Sequence, residues 1–182
     1  MMWIILVILV LIVVWMISTY NGLIRLKHKV DHAYGNIEVS LKQRADLIPN
    51  LVATVKGATN HESETLENVI KWRNASLNAS NSQEVADADH QLSKAMPQII
   101  TLAESYPELK ANENFKDLSN KLTKVEDELA NARRYYNGVV NAFNTKIEMF
   151  PASLLAGFAG CHNQPLFSVD DENERKVVKV EF

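Results

Sequence analysis

The sequence predicts an all-α protein, with a single N-terminal transmembrane helix that continues into a long antiparallel, up-down four-helix bundle. Three observations carry this expectation. No charged side chain occurs from Met1 to Ile24, and Met1 to Ile17 is wholly apolar. Behind that run, apolar residues recur at steps of three and four, which places them along one helix face. A second series of nine positions, from Phe115 to Phe143, keeps the same step without a break. That is the a/d pattern of a packed helical seam.

The anchor follows from length. A helix rises 1.5 Å per residue, so about 20 apolar residues cross a hydrocarbon core of roughly 30 Å. Met1 to Tyr20, and at most Ile24, meets that requirement. A cleaved signal peptide is the rival reading, and it asks for a basic leading region and a small-x-small cleavage site. No Lys or Arg precedes the run, and Tyr20-Asn21-Gly22-Leu23-Ile24 offers no such site, so a retained anchor is expected. Arg25, Lys27 and Lys29 follow the span directly. Basic residues beside a span prefer the cytoplasmic side, which predicts an outside N-terminus and residues 25–182 in the cytoplasm.

Composition narrows the function classes. A net charge of −3 argues against general affinity for nucleic acid. Six glycines and five prolines leave few turns and favour long helices. The one cysteine, Cys161, rules out an intramolecular disulfide.

Beyond the span, Leu23, Leu26, Val30, Ala33, Ile37 and Leu41, then Ile48, Leu51, Val55 and Ala58, continue one stripe. No turn-forming cluster interrupts them, so one helix of ~55 residues is expected. Pro49 should kink it, because proline removes a backbone donor and crowds the preceding turn. Gly57, Thr59 and Asn60 close this helix, with Asn60 as a cap for the next. Helix two should run from His61 to Leu77 and bury Leu66, Val69, Ile70 and the stem of Arg73. Asn78 to Ser82 reads as a polar turn. Helix three covers Gln83 to Ser105, with Val85, Leu92, Met96, Ile99, Ile100 and Ala103 inward and a bend at Pro97. Tyr106-Pro107 should stop it. Helix four carries Phe115, Leu118, Leu122, Val125, Leu129, Ala132, Tyr136, Val139 and Phe143, extends through Ile147 and Phe150, and ends at Pro151.

These boundaries divide the chain into an anchor (1–24), a bundle (25–150) and a C-terminal segment (151–182) that is first membrane-proximal and then extended. Helix two is too short to cover the membrane-proximal ends of helices one and four. Their stripes must be buried elsewhere, and a second copy of the chain is one cover, so a homo-oligomer is expected. Residues 151–160 either dip Leu and Phe side chains between lipid headgroups or pack against the bundle base. Asp170 to Glu174 reads as a solvated acidic loop. Val177 to Phe182 is too apolar for a free tail and would lie extended or engage a partner.

Two passages also carry a family likeness. One is Tyr20-Asn21-Gly22-Leu23 leading to Ile37-Glu38-Val39-Ser40-Leu41-Lys42-Gln43-Arg44-Ala45-Asp46-Leu47-Ile48-Pro49-Asn50-Leu51-Val52, then Val55-Lys56-Gly57 and His61-Glu62. The other is Tyr106-Pro107-Glu108-Leu109-Lys110-Ala111 with Phe115, followed by Ala132-Arg133, Tyr136-Asn137, Phe143-Asn144 and Phe150-Pro151. In order and spacing the chain resembles the LemA family of bacterial membrane-anchored helical proteins over residues 20–167. Tyr34-Gly35-Asn36 departs from the pattern, where Trp and Ser-like residues are common. The resemblance implies one N-terminal span, an antiparallel helical bundle and no established catalytic activity. Some members are linked to envelope maintenance, and a related magnetosome protein, MamQ, is associated with membrane shaping.

The polar residues of these passages need a physical role. Asn137, Asn141 and Asn144 form a strip beside the apolar stripe of helix four, and buried amides fix register because misregistered pairings leave them unsatisfied. Equal rise per residue brings Arg44 near Glu126 and Arg133 near Glu38. Arg44, Asp46, Pro49, Asn50, Arg133, Tyr136, Asn137 and Asn144 are therefore structural or assembly candidates, and a ligand site built from them is the alternative. His61-Glu62 invites a metal reading, but Thr65 stands where a zincin-type helix needs its second His. Cys161-His162 lacks an orienting acid for nucleophilic catalysis. No catalytic residue, cofactor or metal is expected. The sequence points to a membrane-anchored scaffold that contacts the lipid bilayer and itself. An adaptor docking a membrane protease, kinase or secretion component is the second reading.

Overall fold

The computed structural model describes residues 2–58 and 63–167. They form six helices: α1 (Met2–Lys56), α2 (Ser63–Asn78), α3 (Ser82–Glu104), α4 (Pro107–Ala111), α5 (Glu113–Glu148) and α6 (Ser153–Ala156). No strand occurs among the described residues, so the protein is all-α. Asn60, His61-Glu62, the acidic run 170–174 and the apolar end 177–182 lie outside them.

The N-terminal helix spans 55 residues without interruption, Pro49 included. Its first part contains one stretch long and apolar enough to cross a membrane. From Met2 to Ile17 every large apolar side chain is at least 40% exposed. A core helix of a soluble protein would hide such residues, so this stretch faces an apolar solvent rather than the protein interior. The protein is membrane-associated.

Two compact units divide the chain. Among the described residues, the first comprises those up to Leu41 with Val125–Leu166, and the second comprises those within Lys42–Lys124 with Phe167. In the second, four long helical segments and α4 share one core. Ile48, Leu51 and Val55 of α1 meet Leu66 and Val69 of α2, Leu92, Met96 and Ile99 of α3, Leu109 of α4, and Phe115 and Leu122 of α5. All but Leu109 are positions that the sequence reading placed inward. Ile70, expected inside, is exposed, because α2 turns only a narrow stripe inward.

Local polar chemistry fixes the ends. Asn81 caps α3 by accepting from the Glu84 N–H at 2.9 Å, and the Glu84 carboxylate accepts from the Ser80 N–H at 2.7 Å. This reciprocal pattern resembles a capping box. Tyr106-Pro107 does end α3, yet it also begins α4, since proline at a first helical position loses no bonded donor. Asn112 then accepts from the Phe115 N–H at 3.2 Å and caps α5.

In the first unit α1 and α5 run antiparallel. The Tyr34 ring meets that of Tyr136, whereas the earlier Lys27 meets the later Gly160. Leu23, Val30, Ala33, Ile37 and Leu41 are buried with Val125, Leu129, Val139, Phe143 and Ile147. The sequence reading left this stripe in need of an external cover. The chain supplies one itself, for Ala152, Ala156, Ala159 and Cys161 are buried in the same unit.

Candidate functional site

The first cluster lies in the second unit and begins with a charge in a core register. Ile37, Leu41, Arg44, Ile48 and Leu51 are separated by steps of four and three, so Arg44 is carried inward with the stripe. Asp89 likewise continues the series Leu92, Met96, Ile99 and Ala103 on α3. The two meet: Arg44 Nη1 donates to Asp89 Oδ1 at 2.6 Å, with each side chain 1% exposed. Two charges so deeply buried are tolerated only as a hydrogen-bonded pair.

The second cluster explains Pro49. In an unbroken helix the N–H of residue 49 would bond to the carbonyl of Ala45, and proline has none to give. Arg73 of α2 replaces it, its Nε donating to Ala45 O at 3.0 Å. A helix defect on α1 is thus matched by a donor on α2. The Arg73 stem is half-buried, as the spacing predicts. Pro49, Asn50 and Asp46 themselves are exposed; Asn50 O accepts from the Thr54 hydroxyl, and Asp46 pairs with Lys42 at 3.7 Å.

The third cluster is in the first unit, where residues 161–166 run back along α5. Asn144 holds them at both ends of its amide. Its Nδ2 donates to Gln164 O and its Oδ1 accepts from the Gln164 N–H, each at 2.9 Å. About two turns earlier on α5, the Tyr136 hydroxyl donates to Pro165 O, the next residue of the same stretch, at 3.0 Å. The Tyr136 ring lies 5.7 Å from that of Tyr34, tilted by 60°, within the range of favourable aromatic pairs. Burial raises the pKa of Tyr136, and the neighbouring Tyr34 and Asp31 add to the effect. Burial followed by Glu38 raises that of Tyr34.

A turn next to the span completes this unit. Gly160 has φ +59°, a left-handed conformation that glycine adopts without penalty. The Cys161 N–H bonds to Ala156 O at 2.9 Å and the Gly160 N–H to Gly157 O at 3.2 Å, which together make a Schellman motif. Lys27 Nζ donates to Gly160 O at 3.2 Å and ties this turn to α1. The Cys161 thiol is buried, which raises its pKa, while Lys27 acts in the opposite direction.

Of the sequence-predicted candidates, Arg44, Tyr136 and Asn144 hold tertiary contacts through identified atoms. Arg133 and Asn137 are half-buried on α5, while Asn141 is exposed. The structure adds Asp89 and Gln164, which sequence reasoning did not name, and gives polar partners to Arg73 and Lys27, which it read only as a buried stem and a topology signal. For Asp89 the signal was present in its core-register position. For Gln164 there was none, because its backbone does the bonding. Among the described residues no three His, Cys, Asp or Glu side chains gather as a metal site.

Comparison with known proteins supplies the family. The LemA family model matches residues 33–182. The chain belongs to the LemA family. It is 24% identical over 152 residues to the protein LemA of Metamycoplasma hominis, covering 83% of this chain and 69% of that one. It is also similar to magnetosome proteins MamQ 1 and MamQ 2 of Paramagnetospirillum magneticum, each 22% identical over 202 residues, covering 94% of this chain and 74% of each. The matched region contains all three polar clusters, from Tyr34 to Pro165. The LemA-like passages supply one side of each cluster, through Arg44, Ala45 with Pro49, and Tyr136 with Asn144.

Proposed function

We propose that this protein is a non-enzymatic scaffold anchored in the bacterial inner membrane by α1, with its N-terminus outside and its helical units in the cytoplasm. It self-associates there and organises or shapes the membrane. The observation that carries this reading is the continuity of α1: one helix is both the apolar span and a wall of both compact units. A span joined by a flexible linker would only tether, whereas an uninterrupted helix fixes the orientation of the first unit, to which the span itself belongs.

The remaining support is chemical. Of the polar residues in the LemA-like passages, Arg44 pairs with a second helix, while Tyr136 and Asn144 hold the returning stretch. Val39 of α1 and Tyr135 of α5 are large, apolar or amphipathic and exposed, and they offer α1 and α5 as the faces for a second copy. Several relatives are magnetosome proteins by name, in keeping with a membrane-organising role. Arg25, Lys27 and Lys29 at the end of the span support that orientation.

Cryo-electron microscopy of the full-length protein, extracted gently from its own membrane, tests the scaffold. A ring, cage or lattice joined through α1 and α5 is the expected result. Separate monomers would overturn self-assembly and turn the same exposed residues into a docking face for another protein.

A further inference from the structure

We infer that residues 149–158 form a second membrane element, sunk into one leaflet beside the span, and that the groove between it and α1 holds an acyl chain of a bilayer phospholipid. The inference rests on the membrane-anchored reading of α1 and adds a lipid site to it.

Depth is the first argument. Met16, Ile17, Tyr20, Leu155 and Phe158 line one groove of about 370 Å³. Met16, Ile17 and Tyr20 belong to the charge-free run that ends at Ile24. Met16 lies eight residues before Ile24, about 12 Å along the helix. Side chains at the level of Met16 are therefore below the headgroups, whichever leaflet this is. Leu155 and Phe158 share that level, so they are submerged with it.

The second argument is an inversion of size. Along 150–159 the small residues Ala152, Ala156 and Ala159 point inward and are buried. Phe150, Leu154 and Phe158, spaced by four, point outward at 78%, 62% and 87% exposure. A segment facing water places its large apolar residues inward, and a patch of this kind marks a contact surface. Here the patch is continuous with the exposed apolar face of the span, so its natural solvent is the same lipid.

The turn fixes the height of the segment. The Gly160 Schellman motif ends it, and Lys27 Nζ holds Gly160 O at 3.2 Å. Lys27 lies seven residues beyond Tyr20, about 10 Å along the helix, where an ammonium reaches the headgroup layer. Arg25 and Lys29 flank it and are exposed, ready for lipid phosphates. The groove thus opens to hydrocarbon below and lies under cations, the arrangement that an anionic phospholipid matches. A segment inserted into one leaflet only also occupies area on that side alone, which is how an anchored helix would bias curvature.

The test uses the full chain with Cys161→Ser, reconstituted in vesicles of phosphatidylcholine and phosphatidylglycerol. Single cysteines at Ile12, Leu154, Phe158 and Asn163 carry an environment-sensitive fluorophore, and lipids with nitroxides on their acyl chains act as quenchers. Labels at 154 and 158 are expected to emit to the blue and to be quenched several-fold more than the label at 163. A phospholipid with a photoactivatable acyl chain should cross-link to peptides containing Met16–Tyr20 and Leu155–Phe158. If 154 and 158 behave like 163 while 12 is quenched, the anchor stands and the second element is overturned. If 12 is also unquenched, the anchored reading fails with it. Cross-links confined to other parts of the span overturn the acyl-chain site. A blue shift at 158 that vanishes on dilution of protein in lipid assigns the groove to a second copy, and likewise overturns it.

Discussion

Arg44 and Asp89, 45 residues apart, form an ion pair at 2.6 Å inside the second unit, with neither side chain more than 1% exposed. The pair joins α1 to α3 in a single register. A slip by one turn of either helix would strand a guanidinium or a carboxylate in an apolar core. Desolvation offsets much of the attraction, so the pair contributes more to specificity than to stability.

Breaking it on one side is therefore costly. Asp89→Ala is expected to destabilise the protein by about 3–5 kcal/mol, because the Arg44 charge loses its carboxylate. Arg44→Met with Asp89→Leu should recover most of that loss. Thermal unfolding of the detergent-solubilised full chain, followed by circular dichroism, checks both. A double variant as unstable as the single one would show that the pair stabilises outright.

Arg73 and Pro49 are coupled through Ala45. Arg73→Ala leaves Ala45 O without its donor and should cost about 1–3 kcal/mol, the usual penalty for a buried polar group left unsatisfied. With Pro49→Ala the helix regains its own N–H donor, and the same Arg73 substitution should then cost much less. The double-mutant cycle measures this, and additive losses would refute the replacement of the missing bond.

Asn144 and Tyr136 should decide whether residues 161–166 stay on α5. Asn144→Ala removes two hydrogen bonds and Tyr136→Phe one, each bond being worth about 0.5–1.5 kcal/mol net. Hydrogen exchange at the Gln164 amide is expected to accelerate roughly ten-fold or more in Asn144→Ala and little in Tyr136→Phe, since only Asn144 binds that N–H. Equal protection in all three proteins would mean that the stretch is held by packing alone.

The tyrosines give a pH dependence of defined sign. Burial raises the pKa of Tyr136 and of Tyr34 above the ordinary value of 10.0, so the folded state favours the neutral phenols. Stability is therefore at its full value well below pH 10 and falls as pH rises from about 10 through the raised folded values, because the unfolded chain releases phenol protons that the folded one keeps. Melting temperature should fall more steeply above pH 10 in the native chain than in Tyr136→Phe. Parallel curves would remove Tyr136 from the alkaline transition.

Much of the fold was legible because helices announce themselves by period. The three-four series predicted α1 through Lys56 and the buried positions Phe115, Leu122, Val125, Leu129, Tyr136, Val139 and Phe143 of α5. Pro107 was read only as a stop, although its fixed φ equally suits the first turn of a new helix. The stripe of the first unit was expected to need a partner, because residues 151–166 have no helical period of their own to mark them as its cover. Equal rise per residue placed Arg44 near Glu126 and did not find Asp89. It follows one antiparallel pair of helices and is blind to the face that a third helix presents.

The sequence by itself determined what short-range physics determines: an uncharged run long enough for a bilayer, helix-length stripes, and the family to which the chain belongs. Tertiary structure alone decided which polar groups meet. Asn144 binds backbone, Arg73 serves a carbonyl that a proline abandoned, and Lys27 holds the carbonyl of Gly160. Backbone partners have no side-chain identity to read. Their positions follow only once the helices are packed, because packing sets the distance and direction across which each bond forms.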